Sequence, residues 1–170
     1  MKTLWLHLEA EFAAFRWMQA GVYRATSLVI PPSAAWGLVL NLAHVETRGD
    51  TSGVTTLIRP DAPPLRLAVG LTRQPEVAKL YQQLHSYPVG KTSAQYSEGA
   101  RGAKYHVAPV RREVLCGFEA MVGAQSHDSA LLDRVRDGLH GAFNAERYGL
   151  PFAGDNNLMF DQITLLDEPP

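Results

Sequence analysis

An α+β sandwich, with helices packed on one face of a sheet, is the fold class this sequence predicts. Three features predict it. Short stretches of apolar alternation recur, stretches of helical spacing separate them, and the links between are short. With 170 residues, 46% hydrophobic and 19% charged side chains, the chain has the makings of one domain with one core. No internal repeat or low-complexity tract interrupts it.

The elements follow in order. Thr3 to Leu8 places Leu4, Leu6 and Leu8 on one face and Trp5 and His7 on the other, a strand pattern. Residues 33–45 (SAAWGLVLNLAHV) read as a helix opened by Pro31-Pro32 and capped by Ser33, apolar all round and therefore buried. Gly37 costs about 1 kcal/mol in helix propensity, which predicts a close approach to the sheet there. Leu65, Leu67, Val69 and Leu71 alternate as a second strand after the turn-rich RPDAPP. Residues 75–85 are predicted as a short helix striped by Val77, Leu80 and Leu84. Glu113 to Gly123 is a further strand. Ser129 is expected to cap a helix with Leu132, Val135, Leu139 and Phe143 inward and Arg134, Arg136 and Asp137 outward. A last strand lies near 158–166. The order suggests a ferredoxin-like or RNA-recognition-motif-like layout.

One segment stands apart in charge. Residues 87–112 hold Lys91, Arg101, Lys104, Arg111 and Arg112 against Glu98 alone, a formal +4 in a chain of net −1. The remainder is therefore acidic, at about −5. Glycines at 90, 99 and 102 and tyrosines at 87, 96 and 105 complete the composition of an RNA-gripping arm. A solvated surface loop is the alternative reading. The near-neutral total argues against a free-standing, non-specific nucleic-acid binder, so any contact must come from a local patch or a shared surface.

Other chemistry is sparse. The histidines at 7, 44, 85, 106, 127 and 140 lack metal-ligand spacing, so no metal and no cofactor is expected. GARGAK (99–104) lacks the spacing of a phosphate-binding P-loop. Cys116 is the only cysteine, which fits a reducing cytoplasm, and it reads as a core thiol. The apolar run Leu38 to Val45 is too short to span a bilayer. The acids in MKTLWLHLEAEF argue against an export signal. Ser33, at a helix start, is either a plain cap or a phosphate contact. Arg16, between Phe15 and Trp17, either holds a nucleotide by charge and stacking or is wetted beside core aromatics. Lys104, Tyr105 and His106 are either a metal-free ribonuclease cluster or a phosphate-binding edge of the arm.

FAAFRWM (12–18), SLVIPPSAAWGLVLNLA (27–43), GAKYHVAPVRREVL (102–115) and YGLPFAGDNN (148–157) together resemble the fifth CRISPR-associated (Cas) protein family, in the short form of type I-B-like systems. That resemblance implies a single ferredoxin-like domain over 1–170 with a β-hairpin thumb inserted at about 87–112. It also implies a non-catalytic subunit at the foot of the Cascade surveillance complex that hooks the 5′ handle of the CRISPR RNA. The implied neighbours are the repeated backbone subunit (seventh Cas family) and the large subunit (eighth Cas family), with target DNA reached through the complex and no membrane. By similarity Arg16, Arg24 and Ser33 lie near the handle, together with Lys91, Arg101, Lys104, Tyr105, Arg111 and Arg112 of the arm. The type I-C branch of the family cuts precursor RNA with a Tyr, a Lys and a His. At those places this sequence has Ala43, Glu119 and Met121, which departs from the cutting pattern. Endonucleolytic processing through Lys104 and His106 is the alternative.

Overall fold

A computed structural model of the chain describes residues 2–18, 22–50, 57–88, 105–143 and 147–169, with side chains described at all of these except 84–88 and 105–108. The strands are β1 (Lys2–Ala13), β2 (Phe15–Arg16), β3 (Tyr23–Arg24), β4 (Thr26–Ser27), β5 (Arg66–Arg73), β6 (Glu76–Pro88), β7 (Tyr105–Ser126) and β8 (Gln162–Leu166). The helices are α1 (Pro32–Leu42) and α2 (Ser129–Leu139). Strands β8, β1, β7 and β5 lie side by side in that order, each antiparallel to its neighbour. Each helix links two strands that are not adjacent, β1 to β5 and β7 to β8, which makes the α+β fold ferredoxin-like.

The alternation read in the sequence is what forms the core. Leu4, Leu6, Leu8 and Ala10 point to the helical face with Phe118, Ala120, Val122 and Ala124 of β7. Leu38, Val39 and Leu42 of α1 and Leu131, Leu132 and Val135 of α2 close over them. On the opposite face Trp5 lies flat over Gly123, where a Cβ would sit 2.4 Å from the indole. Glycine there lets the ring cover the sheet backbone.

Strand β7 has 22 residues, about 70 Å of extended chain. Its second half pairs with β1 and β5, whereas β6 pairs with Tyr105 to Cys116. The β6–β7 hairpin therefore runs past the end of β1. The basic segment 87–112 has its ends on this hairpin, and residues 89–104 lie outside the described ones.

Several expectations are corrected. The helix expected over 75–85 is instead strand from Glu76 onward: the long free edge of β7 offers a backbone partner at nearly every position. A helix of that length, with Val77 and Leu80 left exposed, would have had little to bury. Helix α1 is not capped by Ser33. Pro31 is its N-cap, Pro32 supplies a preset φ in the first turn, and Ser33 is exposed. Helix α2 is capped by Asp128 rather than Ser129, its carboxylate accepting from the N–H groups of Ala130 (2.9 Å) and Leu131 (3.4 Å). Gly37 meets nothing within 4 Å and opens onto an apolar cleft of about 390 Å³ walled by Leu38, Tyr148 and Pro151. The close approach is at Gly138 instead, where α2 crosses the end of α1. Arg134 is exposed, as its place on the helix predicts, and its guanidinium also donates to the carbonyl of Ala43 at 3.1 Å and lies over the Phe143 ring.

Candidate nucleic-acid interface

At the end of β1 the chain turns through Ala14 into β2, which pairs with β4. The N–H of Ala14 donates to the carbonyl of Ala153 at 2.9 Å, seating the 152–157 loop beneath the turn. Gly154 makes that seat possible. Its φ is +84°, and a Cβ there would lie 2.4 Å from the carbonyl oxygen of Ala14. Strand β3 then runs parallel to β7, pairing Tyr23 with Arg111 and Arg24 with Arg112.

This geometry gathers three separated arginines around one cleft of about 220 Å³. Arg16, Arg24 and Arg112 line it with Thr26, Glu113 and Asp155. Arg112 is engaged: its guanidinium donates to Asp155 at 2.6 Å, and both side chains are largely buried. Burial pushes the Asp155 carboxyl up. The N–H of Asn157 and the Arg112 guanidinium outweigh it and hold the group below its usual range. Arg16 and Arg24 are exposed and make no ion pair among the described residues.

Glu113 is the second acid of the cleft. It accepts from the Tyr23 hydroxyl and, at 3.0 Å, from the N–H of Thr26. The Tyr23 hydrogen bond is the chief cause of its lowered pKa, helped by Thr26 and the Lys79 charge and opposed by burial. The same hydrogen bond raises the Tyr23 pKa. A carboxyl depressed in the folded state adds stability above its unfolded pKa and loses it as pH falls through the folded value. Glu113→Gln should therefore cost about 1–2 kcal/mol at pH 7. It should also flatten part of the acid limb below about pH 4.5 when thermal unfolding is followed from pH 7 to pH 3. Glu46, hydrogen-bonded by Arg48 and held down to about 2, leaves the rest of that limb in place.

Of the residues singled out in the sequence, Arg16, Arg24 and Arg112 come together. Arg111 is exposed on the hairpin strand, its N–H bonded to the carbonyl of Val22 at 2.7 Å. Ser33 stands in the first turn of α1 and does not line the cleft. Lys91, Arg101 and Lys104 lie outside the described residues, as do the side chains of Tyr105 and His106. The two aromatics beside Arg16 divide. Phe15 is core, 5.1 Å from the Phe118 ring, and Trp17 is half exposed. Cys116 is half-buried rather than fully in the core. The positions aligned with the cutting branch hold a buried Ala43, a Glu119 paired with Arg73 at 3.1 Å, and Met121. Thr26, Glu113 and Asp155 also line the cleft, and no pattern in the sequence marks them as site residues. Gly154-Asp155 carried a turn signal, but nothing local tied it to the arginines.

No family model matches this sequence, and no curated protein matches it. Among solved structures, a chain of a CRISPR RNA-guided surveillance complex superposes with a TM-score of 0.61 at 16% identity, over 94% of this chain and 60% of that one. A Cas protein crystal structure superposes with a TM-score of 0.50 at 17% identity, over 91% and 57%. The chain thus spans 60% or less of the length of these two and shares their fold.

Proposed function

We propose that this chain is a non-catalytic subunit of a type I CRISPR surveillance complex, holding the 5′ handle of the CRISPR RNA and supporting assembly for RNA-guided recognition of DNA. The observation that carries the proposal is the convergence of Arg16, Arg24 and Arg112 on one open cleft, two of them without a carboxylate partner among the described residues. Unpartnered guanidiniums at a cleft mouth suit phosphate oxygens, which they meet with charge-assisted hydrogen bonds. The fold shared with a chain of a CRISPR RNA-guided surveillance complex supports the choice of RNA over other polyanions.

The cleft is better built to hold RNA than to cut it. Cleavage by a ribose hydroxyl needs a base and an acid with pKa values near the working pH. Glu113 and Asp155 are both depressed and already occupied by donors, and no histidine lines the cleft among the described residues. The neighbours in this reading are the repeated backbone subunit and the large subunit, in the cytoplasm. Coexpression with the adjacent genes and a repeat-spacer RNA should copurify the chain in a complex whose RNA handle resists nuclease. The isolated chain should leave labelled repeat RNA intact in chelator. Purification free of nucleic acid despite coexpressed partners would overturn the RNA reading. A specific cut abolished by His106→Ala would instead establish the endoribonuclease.

A further inference from the structure

We propose that Tyr23, Arg111 and Tyr81 form a stacking platform for unpaired bases of single-stranded RNA, on the outer face of the strip made by β3, β7 and β6. The proposal rests on the RNA-holding reading of the neighbouring cleft and adds a site that the cleft does not contain. Arg111 pairs with Tyr23 on one side of its strand and with Tyr81 on the other. Residues directly opposite in a sheet project from the same face, with strands about 4.8 Å apart. The three side chains therefore form one row across the strip, a guanidinium between two phenol rings.

All three are in solvent. Tyr81 is 66% exposed and Tyr23 39%, and Arg111 is exposed without an ion pair among the described residues. Nothing in the core needs a ring at position 81. Tyr23 is held in place by its hydroxyl on Glu113, so its ring is pre-oriented. The Lys79 ammonium stands 5.9 Å from that ring's centroid, a loose contact that a base can displace toward its own phosphate. With Arg111 and Lys79 against Glu113, the face carries net positive charge. Flat rings beside unpartnered cations are what sequence-tolerant recognition of single strands requires. The platform and the cleft also meet. Glu113 lines the cleft and lies two residues along the same strand face from Arg111, so one RNA strand can pass from one surface to the other.

The test compares two probes bound to the full chain by fluorescence anisotropy: an oligoadenylate of about eight nucleotides, and an abasic oligonucleotide with the same number of phosphates. Tyr81→Ala should weaken oligoadenylate binding about tenfold, leave the abasic probe unchanged, and keep the salt slope. Tyr81→Phe should bind like the wild type, because the stacking face remains. Equal loss on both probes would overturn the platform. So would no loss on either, which would assign the row to a protein neighbour, and so would equal wild-type affinity for the two probes. The cleft reading fails separately: Arg16→Ala with Arg24→Ala should weaken both probes alike, and no change there counts against the cleft while the Tyr81 comparison still stands. A wild type that binds neither probe overturns both.

Discussion

Arg16→Ala combined with Arg24→Ala should lower affinity for single-stranded repeat RNA by about 10- to 30-fold at moderate salt, from roughly 1 kcal/mol per exposed charge pair. The salt dependence is the sharper readout. Every phosphate that is no longer neutralised flattens the slope of log affinity against log salt by about 0.7, so the double variant should flatten it by about 1.4. Stability should hardly move, because both side chains are exposed and neither makes an ion pair among the described residues. That separates binding from folding, which Arg112 cannot do: removing it would strand the largely buried carboxylate of Asp155. Arg66→Ala on β5, which does not line the cleft, is the control and should change the slope little. Unchanged affinity and slope in the double variant would dismiss the cleft as the RNA-binding surface.

Gly138→Ala should lower the melting temperature by about 5–15 °C, a net loss of about 2–4 kcal/mol. The added Cβ would sit 1.8 Å from the carbonyl oxygen of Leu42 and 3.0 Å from its carbonyl carbon. Both atoms are backbone, so no rotamer change relieves the clash and the two helices must part. Parting them loosens Leu38, Val39 and Leu42 against Leu131, Leu132 and Val135. It also strains two guanidinium ties at the crossing, Arg134 to the carbonyl of Ala43 and Arg147 to that of Gly138, each 3.1 Å. Helix propensity favours alanine by about 1 kcal/mol, so the sign of the measured change decides whether the crossing or the propensity dominates. Gly37→Ala supplies the contrast: with nothing within 4 Å it should gain about 0.5–1 kcal/mol. A Gly138→Ala protein that melts higher than the wild type would refute the tight crossing.

The period of the apolar residues made β1, β5 and α2 legible, because each turns one face to the same core, and an unbroken apolar run after two prolines made α1 legible; both patterns are local. Residues 76–88 were not legible in that way. Val77, Leu80 and Leu84 sit at helical spacing, yet the backbone partners that make the segment a strand come from residues 105–116, far along the chain. The caps failed for a smaller reason. Ser33 stands two places beyond the true cap and Ser129 one, and neighbouring residues fit the composition of a helix start equally well.

Local residue order carries the α+β class, the alternation that selects the buried face, and the concentration of positive charge between residues 87 and 112. Tertiary structure alone decided which arginines act together. Arg16, Arg24 and Arg112 are united by the parallel register of β3 on β7 and by a loop that only glycine at 154 can seat. It also decided which of them is spoken for, since Asp155 lies 43 residues from Arg112. Hydrophobic period is a nearest-neighbour property and survives in one dimension. The meeting of charges is set by strand register and loop closure, which a linear pattern does not encode.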